Sequence, residues 1–320
     1  MPSRSAAPTS GPVLAALLAL AFLFLAGCDR PAPAASTPHP LEARIVLTSF
    51  YPLTYFAERI AGTHLTIRCP CPPTVDPSLW KPSRADLLQF QSASLILLNG
   101  AGYEHWTAGA ALPVSRTVET AQPFAAEFLQ LPTQTHAHGP GGSHTHSGLD
   151  GHTWLDPLNA RQQAREILTA FTAHWPEHAP DFQQGFVALT HDFDLLDQRL
   201  RALSPALTGH TLFASHPAYG YLARRYGWPI TNVNLPPDEA PAEETWQHLR
   251  RALEQASDGP RLLFFESEPL APIRHRLATE LHTTAVVFRP CETTPAGENY
   301  LTLMLQNIDT LKRALSPSQP

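Results

Sequence analysis

The sequence predicts an α/β protein of two lobes, each a mainly parallel sheet flanked by helices, joined by one long helix. Three observations carry this. Short runs of β-branched and apolar residues alternate with amphipathic segments, the rhythm of helix-covered parallel strands. The alternation stops after residue 99 and restarts after residue 210. Between these points, residues 180–203 place Phe182, Phe186, Leu189, Phe193, Leu196 and Leu200 three or four apart, the period of a helix with one apolar face.

In the first lobe, residues 43–49 read as a strand, 52–61 as a helix, 65–68 as a strand, 83–91 as a short helix and 95–99 as a buried strand ending at Asn99-Gly100. Residues 157–172 form an amphipathic helix. After the long helix come strand 211–214, helix 219–226, strand 230–234, helix 243–256, strand 262–266, helix 272–281, strand 285–288 and helix 299–315. The resulting organisation is a first lobe over 43–178, a linking helix over 179–204 and a second lobe over 205–316. Ligands of such folds sit at the carboxyl ends of the strands, here in the cleft between lobes.

Residues 1–42 are of another kind. Arg4 precedes an apolar run over 13–26, too short to span a bilayer comfortably. The run ends in Leu25-Ala26-Gly27-Cys28, which resembles a bacterial lipobox, with residues 1–28 the signal peptide and Cys28 the lipidated first mature residue. Residues 29–42 are rich in Pro, Ala, Ser and Thr, cannot build a core and read as a tether. These features predict an extracytoplasmic protein, anchored to a membrane by lipid on the periplasmic side.

The net charge of −6 and the lack of a basic stripe argue against a nucleic-acid partner. Three cysteines remain in the body: Cys69, Cys71 and Cys291. Cys69 and Cys71 are too close in sequence for an easy mutual bridge. A disulfide from either to Cys291, a soft metal site and free buried thiols all stay open.

Histidine carries the chemical signal. His136, His138, His144, His146 and His152 fall within seventeen residues, around Gly139-Pro140-Gly141-Gly142. Imidazole suits zinc, nickel and copper. With no apolar periodicity, 136–152 reads as a flexible loop that binds such ions weakly and passes them on. His152 differs, because His152-Thr153-Trp154-Leu155-Asp156-Pro157 enters a helix and can hold a ligand rigidly. His216 follows the strand 211–214, and Glu266 ends the strand 262–266, with Glu268 two residues on. Each therefore belongs at a strand's carboxyl end, facing the cleft.

Thr48-Ser49-Phe50-Tyr51-Pro52-Leu53, Asp76-Pro77-Ser78-Leu79-Trp80-Lys81-Pro82, the His-rich stretch with its His152–Pro157 exit, and His216-Pro217-Ala218-Tyr219-Gly220-Tyr221 occur in that order. In this the chain resembles the zinc/manganese solute-binding proteins of ABC importers (TroA-like, cluster A-I), from about residue 44 to 315. The resemblance implies a rigid linking helix with little lobe closure, and a monomer that hands its ion to a membrane permease. It also implies His152, His216 and Glu266 as ligands. Two departures stand out. Ser78 replaces an expected histidine, and Arg289 an expected aspartate before Pro290, so Asp76, a cysteine or a loop histidine is left to complete the site. Zn²⁺ is the expected ion, favoured over Mn²⁺ by the softness of the histidines. The competing reading makes Ser78 and Arg289 marks of a cleft for an anionic ligand or a metal chelate. A zinc hydrolase has two His and one Glu in its favour, but no H-E-x-x-H helix is present, and the reading is that this is no enzyme.

Overall fold

The computed structural model describes residues 44–137, 143–255, 259–294 and 297–316. The signal peptide, Cys28, the tether and His138 lie outside them.

The chain starts with β1 (Ile45–Thr48), whose apolar run continues into α1 (Tyr51–Ala61) through Pro52 in the first helical turn. After β2 (Thr66–Arg68), α2 (Arg84–Ser92) opens on a capping box in which Ser83 and Asp86 satisfy each other's backbone N–H. Then come β3 (Leu95–Leu98), buried throughout, and β4 (Thr117–Glu119). β5 (Gln130–Ala137) and β6 (Ser143–Leu149) follow, then α3 (Pro157–His174), α4 (Ala179–Arg201) and the single turn α5 (Ser204–Leu207). The second lobe runs β7 (Thr211–Ala214), α6 (Gly220–Tyr226), β8 (Ile230–Asn232), α7 (Glu243–Glu254), β9 (Arg261–Phe265), α8 (Ala271–Glu280), β10 (Thr283–Val287) and α9 (Tyr300–Leu315).

Both four-stranded sheets are wholly parallel, ordered β2-β1-β3-β4 and β10-β9-β7-β8. The two orders are the same pattern: each lobe's first strand pairs with its second on one side and its third on the other. The chain therefore winds in opposite directions from the first strand, leaving a crevice at the carboxyl ends of the first and third.

The lobes share one core. Phe182, Phe186, Leu189, Phe193, Leu196 and Leu200 of α4 are all buried, and Phe193 meets Phe56 edge-on at 5.2 Å. Trp154 Nε1 donates to Pro290 O at 2.6 Å, and Tyr300 OH donates to Trp154 O at 2.8 Å. Arg225 in α6 donates from Nε to both oxygens of Asp156, the N-cap of α3, at 2.9 Å. These contacts cross between lobes, so the seam is packed and hydrogen-bonded as well as tethered by a helix. Among the described residues no helix is long and apolar enough to cross a membrane.

One expectation needs correction. The His-rich stretch is not simply a loop: β5 and β6 pair antiparallel, with His136 opposite His144 and Gln134 opposite His146. Its alternating Thr and His residues lack an apolar period, yet backbone pairing needs none. Of the alternatives left open for the body cysteines, the structure shows free thiols at Cys69, Cys71 and Cys291. Burial pushes the Cys71 thiol up to about 12, helped by the charges of Cys69, Asp76 and Asp86.

Candidate metal centre

β6 delivers the chain to the cleft. Asp150 N donates to Leu129 O at 2.8 Å, fixing the exit. Asp150 Oδ1 then accepts both the backbone N–H of His152 and its ring Nδ1, each at 2.9 Å. Between them sits Gly151, where a Cβ would lie 2.9 Å from Tyr103 Cβ, so only glycine lets the backbone pass the ring. His152 Nε2 is thereby aimed across the cleft, 3.2 Å from Glu292 Oε1.

The second lobe supplies three groups from strand ends. His216 lies two residues beyond β7, and Glu266 directly follows β9, the adjacent strand; His216 Nδ1 is 3.9 Å from Glu266 Oε1. Glu292 comes from the segment after β10. There Tyr219 OH donates to Phe288 O at 2.7 Å, and Cys291 takes a left-handed φ of 66°, turning the chain so that Glu292 points into the cleft. The first lobe holds Glu292 in place: Tyr103 OH donates to Oε1 at 3.2 Å and Tyr51 N to the backbone oxygen at 3.3 Å.

These side chains line a cavity of about 530 Å³. Its walls carry His105, His152 and His216, the carboxylates of Asp76, Asp238, Glu266 and Glu292, and no lysine or arginine among the described lining residues. Ser78 lines it too, but its N–H and hydroxyl both donate to Asp76 Oδ1, at 2.8 and 2.7 Å. The electrostatics follow. Burial, then the nearby Glu292, pushes Glu266 up to about 8. Burial by itself lowers His152, but the hydrogen bonds to Asp150 and Glu292 outweigh it and raise the ring to about 10. Glu266 thus holds its proton because it is buried beside the Glu292 carboxylate, the condition a cation in the cleft would relieve.

Glu268 and Arg289 do not belong to it. Glu268 is exposed and paired with Arg274, and neither residue lines the cavity. Arg289 uses its backbone instead, its N–H donating to Asn307 Oδ1 and its carbonyl accepting from Asn307 Nδ2. The carboxylate that lines the cavity comes after Pro290 rather than before it, past the left-handed turn at Cys291. Sequence reasoning missed Glu292 for that reason. It also passed over His105, Asp238 and Tyr103, which carry no strand-end signal.

His152 and His216 have ring centroids 6.1 Å apart. Among the described residues, the group of three metal-type ligands lying within 4.8 Å of one another is elsewhere: His64, His178 and Asp181, where α1 meets α4. There His64 Nε2 is 2.9 Å from Asp181 Oδ2, and Arg44 Nη1 donates to His178 Nε2 at 2.8 Å. The two rings stack at 4.1 Å rather than converge, and a guanidinium occupies the free nitrogen, so this cluster is polar packing.

A two-lobed parallel α/β fold with its His/carboxylate cleft at the strand ends defines a cation-binding protein of the solute-binding class. The model of one such family, described as the zinc-uptake complex component A, periplasmic, matches residues 46–314, and the chain belongs to that family. This is a family of binding proteins, not of enzymes. The high-affinity zinc uptake system protein ZnuA of Bacillus subtilis is 23% identical over 308 residues, covering 93% of this chain and 96% of that protein. The zinc-binding lipoprotein AdcA of Streptococcus pneumoniae is 23% identical over 315 residues; the match covers 95% of this chain and 61% of AdcA. Of solved structures, the Zn(II)-bound ZnuA-like domain of AdcA superposes with a TM-score of 0.70 at 22% identity, covering 85% of this chain and 98% of that one. The periplasmic zinc-binding protein TroA of Treponema pallidum also gives 0.70, at 21% identity, covering 85% and 99%. At these identities the likeness establishes the fold.

Proposed function

We propose that the chain is an extracytoplasmic zinc-binding protein that delivers its ion to the permease of an ABC importer. It works as a monomer held to the membrane through a lipid on Cys28. The observation that carries the reading is the cavity wall: three histidines, four carboxylates and no lysine or arginine among the described lining residues. An anionic ligand would meet four carboxylates there with no lysine or arginine among the described lining residues, and Arg289, which favoured it, does not line the cavity. A divalent ion gains from every carboxylate and takes imidazole nitrogen as a borderline-soft ligand. His152, His216 and the carboxylates Glu266 and Glu292 are the ligand set. Ser78 leaves the remaining position to solvent, or to Asp76 as the nearer carboxylate on that wall. His136, His138, His144 and His146 form an accessory zinc-collecting stretch, and β6 runs from it straight into Asp150 and His152.

Zinc titration by calorimetry tests this, on the parent chain and on a variant lacking residues 136–147. A tight one-to-one step surviving the deletion supports the cleft site. Weak binding that disappears with the deletion would overturn it.

A further inference from the structure

We propose that Asp150 is the positioning residue of the zinc site, holding the His152 ring so that Nδ1 keeps a proton and Nε2 alone is offered to the ion. The inference rests on the zinc-binding reading, and goes beyond it by assigning a role to a residue that does not line the cavity.

The geometry is specific. The Asp150 side chain is 1% exposed. One oxygen, Oδ1, takes two hydrogen bonds from His152, one from the backbone and one from the ring. A carboxylate can only accept, so ring Nδ1 must be the donor, and Nε2, facing Glu292, is the nitrogen left to ligate once its own proton is displaced. The other oxygen, Oδ2, is buried with no hydrogen-bond partner. It abuts Gly220 at the start of α6, where a Cβ would lie 2.4 Å away. Asp150 is thus wedged between lobes: its own loop and His152 on one side, the helix following His216 on the other. An orphaned buried carboxylate oxygen is costly. Its retention is explained if the negative charge makes the imidazole a stronger donor to the cation beyond it. Gly220 then has a reason to be glycine, since any side chain would push Asp150 and swing His152 off the cleft.

The experiment uses the purified full-length chain and zinc alone as probe. Ring nitrogen-15 spectra of the parent should show His152 Nδ1 protonated before and after zinc, with only Nε2 shifting on addition. Asp150→Ala should lose roughly 10- to 100-fold in zinc affinity. Asp150→Asn, which keeps an acceptor but not the charge, should lose less. Zinc shifting Nδ1, or an Asp150→Ala affinity within twofold of the parent, overturns the proposal. The parent spectra stand even if Asp150→Ala fails to fold. A parent that binds no zinc in the cleft would defeat the functional reading instead, while a shift of the Nδ1 resonance between parent and Asp150→Ala would still report on the Asp150 contact.

Discussion

The two lobes repeat one strand order and put it to opposite uses. In the second, the crevice at the ends of β7 and β9 opens on the cavity and presents His216 and Glu266. In the first, the equivalent crevice at the ends of β1 and β3 is plugged. Glu104 is buried there, accepting from Ser49 Oγ at 2.5 Å and from the backbone N–H groups of Asn99 and Gly100 at 2.6 and 3.1 Å. Burial pushes it up to about 7 against those three bonds. The first lobe must therefore reach the cleft by another route, and does so with His152, on the segment held by Asp150. A parallel sheet supplies a place for a ligand; which side chain fills that place, and whether it points outward, is settled by the loops.

The largest expected effect breaks the comparison at its open end. His216→Ala, like His152→Ala, should weaken zinc binding by about 100-fold or more, since a lost ligand exceeds the loss from an outer partner; chelator competition measures it. If both variants bind as the parent does, the cleft is not the site.

The pH dependence comes next. Glu266, raised to about 8, and His152, raised to about 10, both favour the protonated form at neutral pH, and on the proposed ligand set zinc would have to displace those protons. Affinity should therefore rise with pH, by at least about tenfold per unit between pH 6 and 8. Proton release, read from calorimetry in buffers of different ionisation enthalpy, should exceed one per ion; none at pH 7 would contradict the assignment.

Glu292→Gln should cost about tenfold or more in affinity by removing a charge from the ion's surroundings. Arg289→Ala should stay within twofold of the parent. The reverse pattern would restore the residue before Pro290 as the one that matters.

The smallest effect on zinc sharpens the contrast between crevices. Glu104→Gln places an amide where the carboxylate accepts three bonds, and should cost about 1–3 kcal/mol of stability while leaving zinc affinity unchanged. Denaturant unfolding and titration of the same sample separate the two.

Much of the fold was legible in local pattern. The apolar stripe from Phe182 to Leu200 announces a long helix, and the apolar run ending at Glu266 announces a strand. β4 was not legible: three residues with Glu119 among them make too short a signal, and pairing with β3 alone defines it. Nor was the β5–β6 pairing, since polar strands held by backbone bonds leave no apolar period. Of the site, His152 and His216 stand out by residue type and by their place at the end of an element. Glu292 does not, being one carboxylate in a segment without period.

The sequence by itself determined the elements and their alternation, the two lobes, the long helix, the concentration of histidine and the lipobox-like motif at Cys28. Each is a property of neighbours along the chain, governed by periodicity and composition. Tertiary structure alone decided that Glu292 enters the cleft while Arg289 turns away, that Glu104 is spent inside the first lobe, and that Asp150 sits wedged between His152 and Gly220. Those outcomes depend on a single left-handed residue at Cys291 and on contacts between groups as much as 189 positions apart, such as Tyr103 with Glu292, which no local pattern encodes.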